Sequence, residues 1–277
     1  MATVAEACRR NNWLPAWLAF FAQVLIAVSI ELGDDLGRAL VSQHGTVQGI
    51  DNANEVIQFE AAHGFWVEPA WQIFFEQTHH VFLITITWFD VARFMNGVYI
   101  LCHVGVTLGV GAWVYFYRRR FFPLMRNTVL VTNLVALFVY ERFPVAPPRL
   151  LPSVPFDHHL FAFQDTLYGV LSGGRFVGSN LTYNEFSAMP SVHIAWALIA
   201  AAMVVWLARP LAIKLAAAMY PFLMLVAVVV TGNHFLLDAF AAVGVVVIAA
   251  GICIAFECWR GRPPWRNTGP FHSLFAW

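Results

Sequence analysis

Two histidines stand at polar-to-apolar transitions of this chain. Ser187-Ala188-Met189-Pro190-Ser191-Val192-His193 marks the point where a polar loop gives way to the apolar run from Ile194 to Leu207. Proline suits the first turn of a helix, where its missing N–H has no partner to lose. Ser191 and Val192 then offer free backbone N–H groups at a helix entrance, a site for phosphate. His193 beside them can give or take a proton near neutral pH. Thr231-Gly232-Asn233-His234-Phe235-Leu236-Leu237-Asp238 is a second such entrance, and its spacing of four predicts His234 and Asp238 on one helix face. A third stretch, Glu141-Arg142-Phe143-Pro144-Val145-Ala146-Pro147-Pro148-Arg149, has too many prolines to continue a helix and holds Arg149 stiffly. A guanidinium so placed can grip phosphate through two parallel hydrogen bonds.

These residues make the parts of a phosphoryl-transfer site. Attack on phosphorus needs an in-line nucleophile, a proton for the leaving oxygen and fixed positive charge on the equatorial oxygens. His234 is the expected nucleophile, and Asp238 holds its tautomer and stabilises the cation that forms. His193 is the general acid toward the departing alkoxide, then the general base toward the acceptor. Arg149 and the N–H groups of Ser191 and Val192 form the phosphate cradle. A phosphohistidine intermediate follows from that assignment. No acidic cluster of magnesium-binding type accompanies these stretches, so neither a metal nor another cofactor is expected.

The elements that must position them are apolar. Of 277 residues 60% are hydrophobic, 16% aromatic and only 12% charged, against about 25% charged in soluble domains. Mean hydropathy is +0.65. Balanced charge (16 basic, 16 acidic) argues against a nucleic-acid partner. Cys8, Cys102, Cys253 and Cys258 lack metal-site or disulfide-framework spacing. A helix crosses a bilayer in about 20 apolar residues, which predicts an all-α integral membrane protein. Its six spans fall near 13–33, 94–117, 125–141, 190–208, 211–231 and 234–257. The first is read as a retained span, lacking a clear small-residue cleavage site. Residues 34–90 are too polar to cross, and Val56, Ile57, Phe59, Trp66, Trp71 and Phe74 suggest helices lying in the interface. The whole is expected to be one polytopic domain, with residues 90–257 as its core.

Six alternating spans put Arg9, Arg10, Arg118, Arg119, Arg120, Arg126, Arg209, Lys214, Arg260, Arg262 and Arg266 on one side. The positive-inside rule makes that side cytoplasmic, together with both termini, and the three polar stretches extracytoplasmic in a cell membrane.

Pro147-Pro148-Arg149, Ser187-x-x-Pro190-Ser191-x-His193 and Gly232-x-His234-x-x-x-Asp238 resemble the three signature stretches of the type 2 phosphatidic acid phosphatase superfamily. The nearest likeness is to its inositolphosphotransferase branch, which includes inositol phosphorylceramide synthases. The resemblance covers roughly residues 90–257, with Asn54 to Gln72 a candidate extension. It implies a six-helix core, metal independence, and the same roles for His234 (nucleophile), Asp238 (orienter) and His193 (acid). Departures from the phosphatase branch are Val192 where that branch has glycine and Val228 where it has an arginine. Arg142 stands at its lysine position, and Leu150 follows Arg149 instead of proline. Arg142 is thereby a further phosphate-binding candidate. The lost positive charge suits a phosphodiester rather than a monoester.

Other residues admit blander readings. His79-His80 and His158-His159 invite a metal, but no Cys or acid is spaced to complete a site, and solvated loop histidines are the default. His103 either packs in the interior or ligates haem, and packing is the simpler reading. Asp165 and Thr166 either line a headgroup pocket or cap a helix. Glu60, Glu68 and Gln72 either contact substrate or form the wet face of an interfacial helix.

The expected activity is transfer of a lipid-derived, inositol-phosphoryl-type headgroup to a lipid or alcohol acceptor, with membrane lipids as partners. Hydrolysis of a lipid phosphate is the alternative, and a non-catalytic lipid-binding, transport or haem protein the rival from another class.

Overall fold

The computed structural model describes residues 45–81, 84–166, 186–261 and 263 of the chain. Among these, helices Gly45–Ala62 (α1) and Glu68–Glu76 (α2) precede a bundle of longer ones. The bundle comprises Trp88–Tyr117 (α3), Phe122–Arg142 (α4), Val192–Leu207 (α5), Leu211–Val230 (α6) and Leu236–Trp259 (α7). Four of them, α3, α4, α6 and α7, are long and apolar enough to cross a membrane, and α5 is a shorter apolar helix of 16 residues. The predicted first span, 13–33, lies outside the described residues; the other five match helices to within a few residues, except at the start of α3.

That helix begins at Trp88, not near 94, because a capping box extends it. Thr87 N–H donates to Asp90 Oδ2 at 3.0 Å, while Asp90 N–H is turned toward Thr87 Oγ1 at 3.4 Å. A π-helical turn, Val98–Cys102, interrupts α3 before His103.

Helix α5 is the axle of the bundle, packed by α3, α4, α6 and α7. Its short side chains, Ala195, Ala197, Ala200 and Ala201, are buried and let those neighbours approach. A polar tie, Trp196 Nε1–H to Asn133 Oδ1 at 2.9 Å, fixes α5 against α4. The outer faces are apolar: Ile100, Leu101, Leu134, Met219, Val247 and Ile248 are all exposed. A water-bathed monomer rarely shows apolar patches beyond a few hundred Å², whereas lipid covers such faces at no cost.

The chain is not wholly helical between its helices. Among the described residues two antiparallel hairpins occur, His79–Val81 (β1) with Ile84–Ile86 (β2), and Val154–Phe156 (β3) with His159–Phe161 (β4). The second turns through Asp157 and His158, both with positive φ (46° and 62°), the geometry that two-residue hairpin turns require. Strands of three residues have too little alternation to stand out in a sequence.

Candidate active site

The three polar stretches are joined by backbone hydrogen bonds at one end of the bundle. Val145 N–H donates to Phe186 O at 2.8 Å and Ala188 N–H to Val145 O at 3.1 Å. Arg149 N–H donates to Gly232 O at 2.9 Å, and Ser191 N–H to Asp238 O at 3.2 Å. Tyr140, near the end of α4, adds its hydroxyl, donating to Pro190 O at 2.6 Å.

Pro190 does not open α5 as expected. It precedes the cap, after a cis Met189–Pro190 peptide, and Ser191 is the N-cap, its Oγ facing Ile194 N–H at 3.4 Å. Ser191 N–H is therefore not free for phosphate, since Asp238 O accepts it. Val192 and His193 take the first two helical positions, whose N–H groups have no acceptor within their own helix. The first helical N–H groups of α5 are thus those of Val192 and His193, one residue along from the pair expected.

His234 also lies outside its helix. Helix α6 ends in a Schellman turn, with Gly232 N–H donating to Val229 O (2.9 Å) and Asn233 N–H to Val228 O (3.0 Å). Gly232 sits at φ +67°, and a Cβ there would meet Arg149 Cβ at 3.3 Å. Gly232→Ala is expected to cost about 1–2 kcal/mol from the left-handed backbone alone, seen as a lowered thermal midpoint in detergent. His234 follows, its own N–H donating to Val228 O at 3.1 Å, and α7 starts only at Leu236. His234 and Asp238 meet across the helix cap, not along a helical face.

That geometry settles the imidazole tautomer. His234 Nδ1 has two neighbours, Ala188 O at 2.8 Å and Asp238 Oδ2 at 3.2 Å. Both are acceptors, so Nδ1 carries the hydrogen and Nε2 presents a lone pair. Asp238 Oδ2 also accepts Phe235 N–H at 2.8 Å, so one carboxylate orients the ring and caps the helix. The His193 ring lies 5.6 Å from that of His234, centroid to centroid. Reacting atoms approach to about 3–3.5 Å before reaction, so one phosphorus centre fits within reach of both rings. Tyr99, carried by the π-turn of α3, stacks on His193 at 4.1 Å, and His103 lies against it at 4.2 Å. His103 packs, as expected, between His193 and Trp196.

Arg149 is buried, in a short 3₁₀ turn, Pro148–Leu150. Its Nε donates to Asn233 Oδ1 at 2.8 Å, and its Nη1 lies 3.7 Å from Asp165 Oδ2. Asn233 in turn donates to Thr231 Oγ1 at 2.7 Å, whose hydroxyl donates to Ala227 O. The guanidinium is thus anchored to the end of α6. Arg142 is not brought to this group: it is exposed at the end of α4, over its own Phe138 ring at 5.2 Å.

The family model of the PAP2 superfamily matches residues 54–252. The chain belongs to the PAP2 superfamily. Neither curated proteins nor solved structures gave a match.

Membership makes the chain an enzyme of the type 2 phosphatidic acid phosphatase superfamily, with phosphatase or phosphotransferase chemistry. The match begins at Asn54 and so takes in α1 and α2, where the structure places groups that the sequence left undecided. Glu60, Glu68 and Gln72 form no wet face: all three are fully buried. Glu68 Oε1 accepts Leu236 N–H at 2.6 Å and Glu60 Oε1 accepts Leu237 N–H at 2.7 Å, closing the first turn of α7. Gln72 donates to Val230 O at 3.0 Å and accepts Gln164 N–H at 2.8 Å, binding the long loop to the end of α6. Thr166 bonds with Asn96: its hydroxyl donates to Asn96 Oδ1 at 3.1 Å, and the Asn96 amide donates to Thr166 O at 2.9 Å. In this PAP2 superfamily member, helices from outside the recognisable stretches hold in place the helix that follows His234.

Proposed function

We propose that this enzyme takes a phosphoryl or inositol-phosphoryl-type headgroup from a membrane phospholipid, holds it on His234, and passes it to a lipid or alcohol acceptor without a metal. His234 Nε2 attacks phosphorus, and the P–O bond to the diacylglycerol breaks as His193 gives that oxygen its proton. The acceptor hydroxyl then loses its proton to His193 as its oxygen displaces His234 from phosphorus. Arg149 and the N–H groups of Val192 and His193 hold the equatorial oxygens. The observation that carries this reading is the pair of imidazoles 5.6 Å apart, one with its Nδ1–H tied to two acceptors.

Transfer of a diester is favoured over hydrolysis of a monoester by the charge count. Val228 occupies an arginine position of the phosphatase branch and is fully buried in α6. Its carbonyl supports the turn that delivers His234, but its side chain adds no charge to the site. The outward orientation is supported by Arg118, Arg119, Arg120, Arg126, Arg209 and Lys214, which border the helix ends away from the site. On that basis α1 and α2 lie at the extracytoplasmic surface of a cell membrane and both termini are cytoplasmic.

Purified full-length protein in mixed micelles tests it. Phosphatidylinositol is expected to release diacylglycerol at a rate that rises with added ceramide or long-chain alcohol. Release of inorganic phosphate from phosphatidic acid, with no acceptor-dependent diacylglycerol, would replace transfer by hydrolysis.

A further inference from the structure

Helix α7 begins Phe235-Leu236-Leu237, with no side chain of its own at the cap position able to accept a hydrogen bond. Its orphan N–H groups are met instead by two carboxyl groups, from the end of α1 and the start of α2. We propose that Glu60 and Glu68 hold one proton between them and act as a single anion that clamps the first turn of α7, so that both are positioning residues for His234.

The hydrogen bonds assign the proton. Both Glu68 oxygens accept N–H groups, Oε1 from Leu236 at 2.6 Å and Oε2 from Val67 at 2.9 Å. Glu68 is therefore the ionised member. Glu60 uses only Oε1 as an acceptor, toward Leu237 at 2.7 Å. Its Oε2 is buried with no donor aimed at it among the described residues, and the Glu60 and Glu68 carboxyls lie within interaction distance of each other. With a hydrogen on Oε2, that contact becomes an O–H donating to a carboxylate, and every polar atom of the pair is satisfied. Two ionised carboxylates side by side and wholly buried would repel one another strongly. Burial, followed by the charge of Glu68, pushes the Glu60 carboxyl up to about 10. Glu68 is also raised by burial, but its hydrogen bonds, that from Glu60 included, pull it back.

The clamp also gives the two helix entrances different tasks. The positive end of α7 is met by the protein's own anions, Glu68 together with Asp238. A substrate phosphate is therefore directed to the entrance of α5 and to Arg149. Only this consequence and the kinetic arm of the test rest on the phosphohistidine reading.

Isosteric substitutions separate the two roles. In Glu60→Gln the amide N–H₂ can donate to Glu68 while its oxygen accepts from Leu237, so turnover is expected within about threefold of wild type. In Glu68→Gln a donor faces a donor, at Leu236 or Val67. The first turn then shifts, and kcat is expected to fall by about 30-fold or more with KM little changed, since small misplacements of reacting groups cost up to about 100-fold. Glu60→Ala is expected to lose about tenfold, regained by glutamine at the same position. An infrared difference spectrum of wild type against Glu60→Gln, taken in detergent near neutral pH, is expected to show the C=O stretch of a protonated carboxyl. That band needs no substrate, so it decides the proton even if phosphatidylinositol is not turned over. It also stands if Glu68→Gln does not fold. Absence of the band, or equal losses in the two glutamine variants, would overturn the proposal.

Discussion

Replacing His234 by alanine is expected to lower turnover by about four orders of magnitude or more, as happens when a covalent nucleophile is lost. The fold should survive. What the ring contributes to stability is one shared Nδ1–H between Ala188 O and Asp238, a net loss of about 1–2 kcal/mol. Intact tryptophan fluorescence and an unchanged elution volume in detergent would check that. His193→Ala should differ in kind. Its loss removes a proton from the leaving oxygen, costing about 10²–10⁴ in rate, and an ester whose leaving group is already a stable anion needs no such proton. A p-nitrophenyl phosphodiester is therefore expected to restore most of the first-step rate in His193→Ala and none in His234→Ala. If the activated ester rescues His234→Ala instead, the two histidines have been given each other's tasks.

The candidate site is legible in the sequence because its residues sit in local patterns. A histidine before an apolar helix, a proline-stiffened arginine and an aspartate four residues on can all be read without knowing the fold, and the structure brings His193, His234, Asp238 and Arg149 together. Sequence expectation and structure differ where one local pattern serves two geometries. Proline before a helix can stand inside its first turn or just outside the cap, and Pro190 stands outside. A spacing of four suits a helix face or the crossing of a cap, and His234 with Asp238 use the cap. Arg142 matched a motif position yet points away, because one residue's register at a helix end decides which face it takes. Glu60 and Glu68 were illegible for another reason. Their partners lie 177 and 168 residues away, and an acidic residue on a short amphipathic helix is ordinarily solvated. A signal did exist at the other end of the contact. Phe235-Leu236-Leu237 starts a long apolar helix without Ser, Thr, Asp or Asn at its cap, and orphan N–H groups inside a protein must find acceptors somewhere.

The carbonyl of Ala188 makes the expected cost of Asp238→Asn smaller than triad logic alone would set. In a serine protease the same change lets the histidine adopt the wrong tautomer, and turnover drops by about 10⁴. Here Ala188 O lies nearer to His234 Nδ1 than the carboxylate does, 2.8 Å against 3.2 Å. A backbone carbonyl can only accept, so it keeps the hydrogen on Nδ1 whatever stands at position 238. What asparagine removes is the negative charge that steadies the imidazolium-like state as Nε2 bonds to phosphorus. That charge is worth about 10²–10³ in kcat by the scale of single preorganised electrostatic contacts. The asparagine amide can still present an oxygen to Phe235 N–H, so the cap and the thermal midpoint should hold. Asp238→Ala removes the cap acceptor as well, and is expected to cost about a further 1–2 kcal/mol of stability. Rates and melting curves for the two variants therefore separate electrostatics from capping. A loss in Asp238→Asn as deep as in His234→Ala would mean that the carboxylate, not Ala188, decides which nitrogen is nucleophilic.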